Sequence, residues 1–139
     1  MKQDKDFDVE KTDDQWQSEL SPSQYGVLRC HNTERPGSSP LNHEKRTGKF
    51  RCAGCGQELF ESDTKFESGT GWPSFYAPVE GAVATTVDRS HVMTRTEVHC
   101  RRCGGHLGHV FDDGPDPTGE RYCINGVALK FQPKTDDEQ

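Results

Sequence analysis

Six cysteines carry most of the chemical potential of this 139-residue chain, and their spacing divides them into four and two. Cys52-Ala53-Gly54-Cys55 and Cys100-Arg101-Arg102-Cys103 are both Cys-x-x-Cys, and each is followed by a glycine, Gly56 and Gly104. A glycine there lets the chain turn so that backbone N–H groups point at the sulfurs. Four thiolates satisfy the tetrahedral preference of Zn²⁺ and leave no open position. The spacing therefore predicts a structural zinc knuckle that ties together two turns far apart in the chain. Iron is the second choice of metal. A pair of redox Cys-x-x-Cys motifs would want a βαβ context with a helix after the cysteines, which neither stretch offers.

Cys30 and Cys123 remain. Cys123 follows Arg121 by two positions and precedes Asn125 by two. On a strand those three side chains share one face, with Tyr122 and Ile124 on the other. A cation beside a thiol favours the nucleophilic thiolate. An amide can donate to a reacting oxygen. A buried structural cysteine in a core strand is the plainer alternative. Cys30 is a possible disulfide partner for an oxidised Cys123.

Other groups could serve the same site. Ser68-Gly69-Thr70-Gly71-Trp72-Pro73-Ser74-Phe75 is a glycine-rich turn presenting an indole. Trp72, with Phe75 beside it, either walls an apolar substrate pocket or belongs to the core. The turn lacks the lysine and following helix of a phosphate-binding loop. His106 and His109 lie three apart and would face opposite sides of a regular strand, which suits them poorly as joint metal ligands. On a turn they could converge, one of them donating a proton near Cys123, or both could be structural hydrogen-bonders. Asp112 and Asp113 would cap the following turn or orient a histidine.

These residues need a frame, and the bulk composition describes it. Hydrophobic residues make up 29% of the chain, with 14 Gly and 8 Pro, which fits a loop-rich, mainly β domain in need of a metal staple. The net charge of −6 argues against a nucleic-acid partner, and no apolar run suits a membrane span. The charged N-terminus lacks a signal-peptide core, so a cytoplasmic, reducing setting is the default and three disulfides are not expected. Residues 1–11 read as disordered, 12–132 as a single domain and 133–139 as a polar tail. Thr12 to Gln15 is a capping box opening a helix to about Leu20. Ser21-Pro22 starts a second helix, ending near Arg29-Cys30, with Tyr25 and Leu28 packing inward. Residues 31–48 read as a surface loop. Strand-like runs follow at 49–52, 57–61, 73–77, 83–88, 94–100, 107–112, 121–125 and 127–132, implying antiparallel sheets. Asn125-Gly126 predicts a hairpin pairing the last two.

Taken together, Arg51-Cys52-Ala53-Gly54-Cys55, Lys65-Phe66 through Gly71-Trp72-Pro73-Ser74-Phe75, Cys103 through His106-Leu107-Gly108-His109-Val110-Phe111, and Arg121-Tyr122-Cys123-Ile124-Asn125 resemble the B-type methionine sulfoxide reductases (peptide-methionine (R)-S-oxide reductases). The resemblance covers roughly residues 12–132. It implies two small antiparallel sheets with short N-terminal helices and a structural zinc on Cys52, Cys55, Cys100 and Cys103. It implies that Cys123 is the nucleophile, that Arg121 lowers its pKa, and that His109, Asn125 and a water handle the sulfoxide oxygen with His106 nearby. Trp72 would hold the substrate's methyl group. Many members carry a cysteine between the two glycines before the tryptophan, where this chain has Thr70. That resolving route is absent, and Cys30 is the expected substitute, with thioredoxin reducing the resulting disulfide. Direct reduction of Cys123 by an external thiol is the rival. The enzyme is expected to act as a monomer on methionine-R-sulfoxide, in oxidised proteins or as the free amino acid.

Two readings from other classes compete. A zinc-ribbon binding module would use the same knuckles, and Arg101 and Arg102 suit it, but the acidic charge does not and Cys123 would be idle. A zinc hydrolase built on His106, His109 and Asp113 would need an open metal position, which a four-cysteine site lacks.

Overall fold

A computed structural model describes residues 9–89 and 94–134. Two capped helices lead into two antiparallel sheets. Helix α1 spans Asp13–Glu19 and α2 spans Pro22–Cys30. Each opens on the expected reciprocal capping box, Thr12 with Gln15 and Ser21 with Gln24, which satisfies two of the orphan N–H groups of a helix start. Short helices need tertiary burial to persist. Trp16, Val27 and Leu28 supply it and are almost fully buried. Tyr25 is half-buried and donates its hydroxyl to Asp13.

The strands are β1 (Gly48–Cys52), β2 (Glu58–Glu61), β3 (Lys65–Phe66), β4 (Ser74–Phe75), β5 (Val83–Asp88), β6 (Arg95–Cys100), β7 (His106–Phe111), β8 (Arg121–Ile124) and β9 (Leu129–Pro133). One sheet has the order β2-β1-β9, the other β3-β4-β8-β7-β6-β5. An aromatic cluster joins the two sheets. Phe75 of β4 stacks on Phe60 of β2 at 4.3 Å and meets Phe50 of β1 edge-on at 5.0 Å. These ring arrangements suit the aromatic quadrupole and add to the burial of all three.

The Asn125-Gly126 hairpin does not form. Strand β8 pairs with β4 and β7, while β9 pairs with β1 in the other sheet. A 3-10 turn over Gly126–Ala128 carries the chain between them. Asn125 has φ −72, incompatible with the left-handed turn that Asn-Gly favours. Long-range hydrogen bonds hold it there instead, as described below.

The ends also differ in part from expectation. Val9 donates its backbone N–H to Arg102 and Lys11 pairs with Glu19, so this end of the supposedly disordered stretch is docked. Pro133 closes β9 and Lys134 bonds to Thr47. The expectations for residues 1–8 and 135–139 lie outside the described residues. Residues 31–48 are not uniformly irregular, since Pro40–His43 form a 3-10 turn capped by Ser39.

Candidate active site and metal centre

The two knuckles converge. Cys52 Sγ lies 3.7 Å from Cys103 Sγ, and Cys55 Sγ lies 3.6 Å from Cys100 Sγ. Four sulfurs about 2.3 Å from one Zn²⁺ ion would sit about 3.8 Å apart, so the spacing fits such an ion closely. The Gly54 N–H donates to Cys52 Sγ at 3.3 Å, as a thiolate would require. Hydrogen bonding among the sulfurs pushes Cys52 and Cys100 up and Cys55 and Cys103 down. A cation held among the four sulfurs would favour the thiolate form of all of them. The helices cover this centre: a Cβ on Gly54 would meet Trp16 at 3.3 Å, and Arg29 donates to the Cys103 carbonyl at 3.0 Å.

Cys123 lies on β8, in the interior of the larger sheet, paired with Ser74 on one side and His109 on the other. It borders a cleft of about 300 Å³ lined also by Thr70, Trp72, His109, Arg121 and Asn125. Burial alternates along β8, with Tyr122 and Ile124 inward and Arg121 and Cys123 partly exposed, so the shared face expected from the sequence exists. A larger hollow of about 650 Å³ lies beneath the 31–41 segment, but no cysteine or histidine lines it.

Burial pushes the Cys123 thiol up, and this outweighs the opposing pull of Arg121. Arg121 therefore lowers the thiol's pKa relative to an uncharged neighbour without bringing it below the ordinary value. The guanidinium is fixed by Asp113 through bonds of 2.8 and 3.1 Å and lies over the Phe111 ring at 4.4 Å. Thr70, at the position where the expected cysteine is missing, lines the same cleft as Cys123 and also lowers its pKa. Its hydroxyl is held by Ser68, which in turn bonds Ser74.

Asn125 is buried and oriented from both ends. Its carboxamide oxygen accepts from the Glu34 N–H at 2.9 Å, and its NH₂ donates to the Leu107 carbonyl at 2.9 Å. One of the two amide hydrogens is thereby used, leaving the second for the cleft. Glu34 also accepts from Gly126 and Val127 through its carboxylate, and its carbonyl accepts from the Trp72 indole at 3.1 Å. Nothing in the aperiodic 31–48 segment marked Glu34 as an organiser.

The histidines depart from the sequence expectation. Strand β7 carries a bulge: Val98 pairs with Gly108 and His99 with His106, leaving Leu107 as the extra residue. A bulge resets the alternation of faces. His106 and His109 accordingly lie together, with ring centroids 5.5 Å apart. His106 is buried and its Nδ1 is 2.8 Å from Glu97, while His109 reaches the cleft. Burial lowers the His106 pKa.

Phe75 does not join Trp72 at the cleft. It is fully buried in the aromatic cluster, because β4 is an inner strand and its side chain points to the opposite sheet. Cys30 is exposed at the end of α2 and is not among the residues lining the cleft.

Comparison with known proteins agrees with this architecture. Residues 20–133 match the SelR domain. The peptide methionine sulfoxide reductase MsrB of Bradyrhizobium diazoefficiens is 60% identical over 130 residues, covering 93% of this chain and 94% of its own length. Proteins of the same name from Methanosarcina barkeri and Leptospira interrogans are 58% and 55% identical, covering 91% and 97% of their lengths. A crystal structure of the Mis18 "Yippee-like" domain superimposes with a TM-score of 0.53 at 22% identity, covering 66% of this chain and all of that one, a likeness of fold alone. The chain belongs to the SelR-domain family, the B-type methionine sulfoxide reductases, and is an oxidoreductase of that class.

Proposed function

We propose that the protein reduces methionine-R-sulfoxide in oxidised proteins, using Cys123 as nucleophile. The observation that carries this reading is the convergence of Cys123, His109, Asn125, Arg121 and Trp72 on one cleft. The Cys123 thiolate attacks the sulfoxide sulfur while His109 supplies a proton to the oxygen, with the spare Asn125 amide hydrogen steadying the developing charge. The oxygen passes to Cys123, methionine leaves, and Cys123 becomes a sulfenic acid. Trp72 holds the substrate's methyl group. Arg121 favours the thiolate, and His106 orients His109 from behind.

Cys30 then attacks the sulfenic sulfur, releasing water and forming a Cys30–Cys123 disulfide. Thioredoxin's dithiol reduces this disulfide and is itself oxidised. The α2 end must move for this step. A disulfide needs Cα atoms within about 7 Å. The segment after Cys30 is at present held by His31 on Glu97 and by the Glu34 contacts to Asn125 and Trp72. Zinc on Cys52, Cys55, Cys100 and Cys103 would hold the two knuckles together and take no part in the reaction. The setting is cytoplasmic and reducing, and the protein acts as a monomer. Among the described residues no helix is long and apolar enough to cross a membrane.

The test is a peptide map of reduced protein treated with methionine-R-sulfoxide in the absence of reductant. A Cys30–Cys123 disulfide with one methionine released per chain is expected. An oxygen trapped on Cys123 with Cys30 free would transfer the second step to an external thiol. No change at Cys123 in folded protein would overturn the reductase mechanism.

A further inference from the structure

A second cluster of ligating atoms lies apart from the knuckles. The Glu97 carboxylate is 3.0 Å from His31 Nε2 and 2.8 Å from His106 Nδ1. All three potential ligand atoms lie within 4.8 Å of one another. They come from separate elements: His31 follows α2, Glu97 lies on β6 and His106 starts β7. His106 and Glu97 form the buried part, with side chains 3% and 15% exposed, while His31 reaches them from the surface, 62% exposed. The rings of His31 and His106 are 4.9 Å apart, so a small movement of His31 completes the set.

We propose that His31, Glu97 and His106 form a second metal site, taking a divalent transition ion such as Zn²⁺ or Co²⁺. Two imidazoles and one carboxylate are a familiar donor set for these ions, and ligand atoms of a tetrahedral site sit about 3.3 Å apart. The observed contacts of 2.8 and 3.0 Å would open by only a few tenths of an ångström. Each neutral ring keeps its proton on its other nitrogen, Nδ1 of His31 and Nε2 of His106. Unlike the four-cysteine centre, this site supplies three protein ligands and leaves a position for water. An ion here would bind the end of α2 to β6 and β7. Since His31 directly follows Cys30, occupancy would restrain the backbone that has to move for Cys30 to reach Cys123. That consequence rests on the resolving role proposed above; the binding itself does not.

The experiment is equilibrium dialysis of protein already loaded at its four-cysteine centre against Zn²⁺, repeated with Co²⁺ as a spectroscopic probe. His31→Asn is the informative variant. His31 caps α2 at φ 62, a left-handed conformation that asparagine tolerates, so the helix end is retained. Native protein is expected to take up one further ion, with a cobalt spectrum free of thiolate charge-transfer bands. His31→Asn and Glu97→Gln should each weaken that uptake by more than the roughly 10–100-fold lost with an outer-shell partner. No further ion in the native protein, or equal uptake by folded His31→Asn protein, would overturn the proposal.

Discussion

Glu34 and Asn125 hold each other at the cleft: the Glu34 N–H donates to the Asn125 carboxamide oxygen, and the Glu34 carboxylate accepts the N–H groups of Gly126 and Val127 at 2.8 and 2.9 Å. Glu34→Ala would leave two backbone donors without their acceptor. Each such loss costs about 1–3 kcal/mol. The expected result in urea denaturation is a destabilisation of about 2–6 kcal/mol. Sulfoxide reduction should fall as Asn125 loosens, and Glu34→Gln, which keeps one acceptor, should lose less.

Cys123 and Arg121 predict a pH profile. The reactive form is the thiolate, and burial raises the thiol's pKa. The rate of Cys123 alkylation should therefore keep rising with pH beyond the ordinary thiol midpoint of about 8.5. Arg121 pulls the pKa down, so Arg121→Gln should move the midpoint higher still and slow alkylation at neutral pH. A downward shift in that variant would contradict the assigned role of the guanidinium.

Gly108 faces the chain it pairs with. A Cβ there would sit 2.1 Å from the Cys123 carbonyl oxygen. Backbone cannot yield as a flexible side chain does, so Gly108→Ala must push β7 and β8 apart. The expected cost is at least about 3 kcal/mol, at the upper end for overpacking. A thermal melt indistinguishable from the native protein would show that the two strands are less closely joined than described.

Metal removal should unfold the domain, since ion binding at such centres is coupled to folding. A strong chelator applied with mild denaturant is expected to abolish the β-sheet circular dichroism, and Cys52→Ser should behave likewise. Folded, metal-free protein after either treatment would contradict a structural role.

Thr70 and Cys123 line the same cleft. Thr70→Cys in a Cys30→Ser background should therefore restore dithiol-linked recycling through a short-range disulfide. The check is peptide mapping after one turnover, together with the steady-state rate under a dithiol reductant.

Local signals in the sequence were reliable where local chemistry decides the outcome. The capping boxes at Thr12 and Ser21, the paired cysteines and the shared face of Arg121 and Cys123 depend on neighbours in the chain. Asn125-Gly126 misled because contacts from Glu34 and Leu107 override its turn preference. The bulge at Leu107 has no residue signature, so strand alternation alone put His106 and His109 on opposite faces, while the alternative of convergence and the family resemblance brought them together. Phe75 was assigned to the pocket by proximity to Trp72, yet the pleat sends it to the core. Glu34 and Glu97 act entirely through partners distant in sequence, which no local pattern encodes.

The 3-10 crossing from β8 to β9 gives the molecule a form of self-inspection. Its far end bears directly on the first knuckle: the Ala53 N–H donates to Ala128, and Cys52 pairs with Leu129. The strand bearing Cys123 is thus joined by one short turn to the strand that pairs with the first knuckle. Closing the first knuckle on β9 and pairing Cys123 with His109 in β7 therefore involve two ends of one short stretch of chain. A half-assembled copy would then carry Cys123 as an isolated thiol, without the neighbours that line its cleft in the folded protein, Thr70, Trp72, His109 and Asn125.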